Sequence, residues 1–188
     1  MESYLKEKIH FIIGCIKMKN KIDFYLKKGQ IVKDKTVMPL AKRYLDKAKN
    51  NLVTMKILFD LNNKEERELF EIPRDYDPNE WVVITGYYAM YASALALLAK
   101  IGFRSKNHTA TLLVLEESFV KKRLLNEKDL LLIKNAHFQK EEIEKLSDAR
   151  HKREIAQYSI TKETTKTIAE KIKKDAYDFV NKVELILA

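Results

Sequence analysis

One cysteine, four glycines and three prolines are all that 188 residues contain of those types. A lone Cys15 excludes an internal disulfide framework and a cysteine zinc site. Its setting, "FIIGCI", makes it a small buried hydrophobe rather than a nucleophile. So few glycines and prolines exclude a sandwich or barrel built on many tight turns. There is no Gly-rich phosphate loop, no Gly-x-Ser-x-Gly elbow and no His-Glu-x-x-His. The four histidines, 10, 108, 137 and 151, lie far apart. No metal site and no cofactor are expected.

What is abundant is Leu, Ile, Lys, Glu and Ala, mostly good helix formers. The length suits one domain with a single core. The expected fold is therefore all-α: an up-and-down bundle of five to six helices in one domain over 1–188, with 1–36 a basic N-terminal helix and arm. No cleavable signal or arginine-rich transit segment is evident, so the expected compartment is the cytoplasm.

Net charge is +9 and unevenly spread. Residues 1–35 carry +5 and 36–61 carry +3, whereas 62–80 carry −4 and 121–161 return to +3. A basic balance favours polyanionic partners.

Along the chain, a first helix is expected from Glu2 to about Ile16, followed by a Lys-rich connection to Thr36. After Pro39, Leu40, Tyr44, Leu45, Ala48, Leu52, Met55, Leu58 and Phe59 recur at three- and four-residue steps, the mark of an amphipathic helix. An acidic loop over 62–77 ends in "DPNE", where Asp77 can cap and Glu80 can complete a capping box. From Trp81 to Ala99, "WVVITGYYAMYASALALLA" holds no charge. A membrane span is the rival reading, but three tyrosines and several small residues favour a fully buried central helix. Gly86, Ala89, Ser93, Ala96 and Ala99 form a small-residue seam that lets another helix approach closely. Gly102 is a stop signal, Ser105 or Asn107 caps the next helix, and Asn126 opens a long one. Thr161 is expected to cap a final helix lined by Ile168, Ile172, Ala176, Phe179, Val183 and Ile186.

Three features could carry chemistry. His108 lies in a first helical turn near Arg104 and Lys106, where amides and dipole attract anions; a capping histidine is the plainer reading. Tyr87 and Tyr88 could stack bases, although tyrosines on a buried helix are more often core. The third is "SDARHKREIAQY", residues 147–158. At helical spacing Arg150, Arg153, Glu154 and Gln157 share one face, and His151, Ile155 and Tyr158 the next. Two arginines beside a tyrosine make a phosphate-sized grip. The competing reading is a surface where Asp148 and Glu154 pair with the bases.

Two blocks, "YYAMYASALALLAKIGFRSKNHTATLLVLEESFV" (87–120) and "LSDARHKREIAQY" (146–158), resemble the HEPN family (higher eukaryotes and prokaryotes nucleotide-binding). Residues 1–61 resemble its uncharacterised archaeal branch. The resemblance implies a helical bundle and a homodimer that binds RNA or a nucleotide phosphate, with a minimal nucleotidyltransferase as partner in a toxin–antitoxin-like pair. The dimer expectation also rests on the small-residue seam of residues 81–99. Many family members are metal-independent endoribonucleases with an Arg-x4-6-His motif. In such a site His exchanges protons with the ribose 2′-hydroxyl while Arg holds the phosphate.

This chain departs from that motif. Arg150-x6 leads to Gln157 and Arg153-x4 leads to Tyr158, neither of which is His. Gln cannot titrate, and Tyr ionises only near pH 10. The expected binding residues are thus Arg150, Arg153, Gln157, Tyr158 and His108. His151 and His108 are the candidates for a relocated catalytic His, and the alternatives to binding are a ribonuclease using one of them or a non-catalytic interaction protein.

Overall fold

The computed structural model of the chain describes residues 21–150 and 158–188, with side chains described outside 145–164. Helices dominate: α1 (Leu40–Asp60), α2 (Lys64–Leu69), α3 (Asn79–Lys100), α4 (His108–Leu115), α5 (Glu127–Arg150) and α6 (Tyr158–Leu187). Two strands, β1 (Ile31–Lys33) and β2 (Phe103–Ser105), form the one sheet among the described residues. The fold class is an all-α helical bundle. Its residues group into two compact units, one reaching Ala41 and including Ala94–Leu130, the other comprising Lys42–Ser93 and Leu131–Ala188.

In the first unit the stretch read as a Lys-rich connection contains structure of its own. Residues 21–27 are helical, with Ile22, Tyr25 and Leu26 turned partly inward at three- and four-residue spacing. Gly29 ends this helix at φ +64°, its amide on the Leu26 carbonyl and that of Gln30 on Tyr25. That pair of bonds is a Schellman close, which needs the left-handed conformation glycine adopts most cheaply. β1 then pairs antiparallel with β2, Val32 opposite Arg104. Asp34 caps the short turn that follows, accepting from the Thr36 amide at 3.0 Å. Together with the Thr36 hydroxyl and the Arg104 guanidinium 3.6 Å away, this holds the Asp34 carboxyl below its usual range, against the opposing effect of burial.

Gly102, also at positive φ (+73°), stops α3 as expected, its amide on the Ala99 carbonyl. Asn107 is the cap of α4: its side chain accepts from the Ala110 amide at 2.9 Å, while Ser105 braces the Asn107 backbone. α4 passes into a π-helical turn over Glu116–Val120. At the start of α5, Asn126 and Asp129 each accept the other's backbone amide, a reciprocal capping box.

The second unit packs α1, α3, α5 and α6 on one another. α1 buries Ala48, Leu52 and Met55, and α6 buries Ala169, Ile172, Ala176, Phe179, Val180 and Val183. Ile168 and Ile186 sit at the edge of that face. The two helices run antiparallel, since Lys49 pairs with Glu184 while the Lys173 ammonium lies over the Phe59 ring. The charge-free helix is long and apolar enough to cross a membrane, but 72% of its most apolar window is buried within the molecule.

The small-residue seam of α3 is used inside the chain. A Cβ on Gly86 would lie 2.5 Å from Ile172 Cγ2 and 3.1 Å from Met55 Sδ. Ala89, Ser93, Ala96 and Ala99 are likewise buried.

Two local expectations are corrected in this unit. The acidic loop contains α2, which buries none of its residues. It is held instead by Arg67, whose guanidinium donates to the carbonyls of Leu61, Pro73 and Tyr76. Glu71 closes it at φ +52°. Asp77 caps α3 by accepting from the Asn79 amide, and Asn62 and Asn79 exchange amide hydrogen bonds across the loop. The last helix begins at Tyr158, so Thr161 lies within its first turns rather than at its cap. Threonine is tolerated there because its helix propensity is only a fraction of a kcal/mol below that of neighbouring residue types.

Candidate functional site

The arginine-rich stretch joins two long helices in the sequence. α5 ends on Arg150 and α6 opens on Tyr158. His151, Arg153 and Gln157 lie outside the described residues, and so do the side chains of Arg150 and Tyr158. Contacts further along these helices set the scale. α3 touches α5 through Tyr87 and His137, and α6 through Gly86 and Ile172. At about 1.5 Å per residue, the thirteen residues from His137 to Arg150 put the end of α5 roughly 20 Å along the helix from that level.

His108 belongs to the first unit, whereas Arg150 and Tyr158 belong to the second. It is half-buried in the first turn of α4, directly after the Asn107 cap. The groove beside it, about 450 Å³, is lined by Lys21, Phe24, Tyr25, Thr109 and Leu113. That lining is largely apolar and does not include His108, so the groove is not built around this imidazole.

The tyrosine pair divides. Tyr87 is buried and Tyr88 is 44% exposed. The Tyr87 ring stacks on Tyr91 at 5.7 Å and meets the His137 ring edge-on at 5.3 Å. Lys140 brings its ammonium within 5.8 Å of both the Tyr87 and Tyr88 ring centroids while pairing with Glu144 at 2.6 Å. Burial, reinforced by the neighbouring phenols and glutamates, pushes the Tyr87 hydroxyl far above its ordinary range. Tyr87 therefore remains a neutral hydroxyl, and Lys140 is a cation already matched by a carboxylate. The cluster locks α3 to α5.

Sequence reasoning did not single out His137 and Lys140. Their spacing from Tyr87, about fifty residues, leaves no local trace. The one available signal was their i,i+3 placement on the inner side of an amphipathic helix. Among the described residues no three His, Cys, Asp or Glu side chains are arranged to hold a metal ion.

The described residues define a helical-bundle protein. Protein-family models give no match to the chain. It is 35% identical over 100 residues to a UPF0332 protein of Archaeoglobus fulgidus, an alignment covering 53% of this chain and 69% of that relative. The chain belongs to the UPF0332 family.

Proposed function

We propose that this UPF0332 protein is a HEPN-like homodimer that binds RNA or a nucleotide phosphate. In this reading it is the HEPN component of a toxin–antitoxin-like pair with a minimal nucleotidyltransferase. The observation that carries it is the placement of the arginines: Arg150 closes α5, Tyr158 opens α6, and Arg153 and Gln157 lie between them in sequence. Guanidinium groups bind phosphate in a fork of charge-assisted hydrogen bonds that lysine cannot reproduce. The resemblance of residues 87–120 and 146–158 to HEPN sequences supports the same assignment.

The departure from Arg-x4-6-His favours binding over cleavage. Gln157 can donate or accept a hydrogen bond, yet it cannot act as the acid or base that transesterification requires. A labelled RNA panel, incubated in EDTA with the native protein and with Arg150→Ala/Arg153→Ala, tests the reading. Retention of RNA by the native chain, weakening steeply with salt as phosphate contacts must and lost in the double variant, is the expected result. Binding unchanged by the double variant would refute the arginine assignment. Native-only cleavage in EDTA would make the protein a metal-independent ribonuclease and direct attention to His151 and His108.

A further inference from the structure

Beside the β1–β2 ribbon, the first unit holds a cavity of about 330 Å³ that the preceding reading does not use. Its apolar walls come from three elements. The helix over 21–27 supplies Ile22 and Leu26, α4 supplies the buried Val114, and β2 supplies the Phe103 ring. Four polar side chains stand among them: Asp23, Lys33, Glu117 and Ser118. Small-molecule pockets run about 300–1,000 Å³ and set a few placed polar groups in an apolar lining. This cavity has that make-up at the small end of the range.

Part of the wall is a departure from regular helix. α4 passes into the π-helical turn over Glu116–Val120, closed by the Lys121 amide on the Glu116 carbonyl at 3.1 Å. Single π turns recur at functional sites, and this one presents Glu117 and Ser118 to the cavity. The polar groups there are not spent on one another. Glu117 pairs with Lys121. Asp23 and Lys33 enter no ion pair among the described residues, and the Ser118 hydroxyl makes no hydrogen bond among them. Lys33 stands opposite Phe103 in the ribbon, its ammonium 5.9 Å from the ring centroid. An unpaired carboxylate and an unpaired ammonium thus border one small apolar cavity without meeting.

We propose that this cavity binds a small zwitterion with an apolar body, the chemistry of a hydrophobic α-amino acid. Its ammonium would pair with Asp23, and its carboxylate with Lys33 and the Ser118 hydroxyl. Charge decides the class. A phosphate or a simple carboxylate would answer Lys33 but face Asp23 and Glu117. A simple amine would answer Asp23 but bring a second cation to Lys33. A ligand carrying both charges leaves neither group against its like. The apolar body would rest on Ile22, Leu26 and Val114, with the Phe103 ring offered to an aromatic side chain. All of these residues belong to the first unit, whereas Arg150 belongs to the second. The inference therefore stands whether or not the chain binds RNA.

Saturation-transfer NMR on the full chain tests it, with L-phenylalanine and L-leucine as probes. Phenethylamine and 3-phenylpropionate serve as analogues of L-phenylalanine that each lack one charge. At least one amino acid should bind at millimolar concentration. Where L-phenylalanine binds, each analogue should bind about tenfold or more weakly, the worth of one hydrogen bond to a charged group. Asp23 and Lys33 are exposed, so Asp23→Asn and Lys33→Gln should fold, as thermal melts would verify. Each should weaken amino-acid binding by a similar factor, while Asp23→Asn leaves 3-phenylpropionate, and Lys33→Gln leaves phenethylamine, bound no worse than before. No transfer to either amino acid at tens of millimolar, or binding unchanged in both variants, overturns the site. Phenethylamine binding as tightly as L-phenylalanine would make the cavity a cation site and overturn the zwitterion assignment.

Discussion

Replacing Gly86 by alanine sets two known effects against each other. In an exposed helix the change would stabilise by about 1 kcal/mol, because alanine is the better helix former. Here the new methyl would stand 2.5 Å from Ile172 Cγ2 and 3.1 Å from Met55 Sδ. Carbon atoms rest about 3.5–4.0 Å apart, so the shortfall at Ile172 is roughly 1 Å. The methionine can swing aside. The isoleucine cannot do so readily, since β-branching leaves it essentially one rotamer in a helix. Overpacking of this kind costs about 1–3 kcal/mol, which outweighs the propensity gain. Gly86→Ala should lower stability by up to about 2 kcal/mol and the melting temperature by up to about 4–8 °C for a chain of this size.

A double-mutant cycle isolates the cause. Ile172→Ala alone should cost about 2–5 kcal/mol by leaving a cavity. In that background the methyl of Gly86→Ala has room, and the same substitution should stabilise. Urea and thermal unfolding followed by circular dichroism would read a coupling of about 2 kcal/mol between the two sites. A Gly86→Ala variant that melts higher than the native protein, or an effect identical in both backgrounds, would refute the close-packing argument.

Other consequences follow from individual groups. Glu71 and Arg123 hold left-handed backbone at φ +52° and +59°, a conformation that costs a side-chain-bearing residue about 1 kcal/mol or more; Glu71→Gly and Arg123→Gly should each raise the urea midpoint, and a lowered midpoint in both would show that their side chains matter more than their backbone. Arg67→Met removes a guanidinium bonded to three carbonyls, so limited proteolysis should cut within 62–78 much faster in that variant; unchanged cleavage would mean the loop holds without the clip. Burial raises the Asp175 carboxyl, with Asp178 adding to the rise and Lys171 and Lys174 opposing it. The folded state thus favours the protonated form, and its stability falls as pH rises from the ordinary Asp range through the raised value. Asp175→Asn should therefore stabilise at neutral pH and lose that advantage in acid, and a gain undiminished at pH 3 would rule out ionisation as its source.

Local periodicity made much of this molecule legible. Ala48, Leu52 and Met55 on α1, and Ile172, Ala176, Phe179 and Val183 on α6, are buried where three- and four-residue steps put them, because a helix repeats its core-facing side every 3.6 residues. Gly102 and Asn126 marked helix ends through chemistry that acts within a few residues. The β1–β2 pairing left no such mark: three-residue strands some seventy positions apart have no period of their own, and each exists only because the other is beside it. α2 buries nothing and owes its place to carbonyls that Arg67 reaches after the chain has folded back.

The candidate site divides in the same way. The proposed phosphate grip at 147–158 rests on residue types alone, since guanidinium chemistry is intrinsic to the side chain. That His137 and Lys140 lie against Tyr87 was decided by the packing of α5 on α3. On α3 itself, composition alone determined that a charge-free helix with a glycine–alanine seam must admit a close neighbour. Only the tertiary structure decided that the neighbours on that seam are the chain's own Ile172 and Met55, because which helix fills a groove depends on where the turns return it. The same packing turned the small residues inward and left Trp81 and Tyr88 facing out.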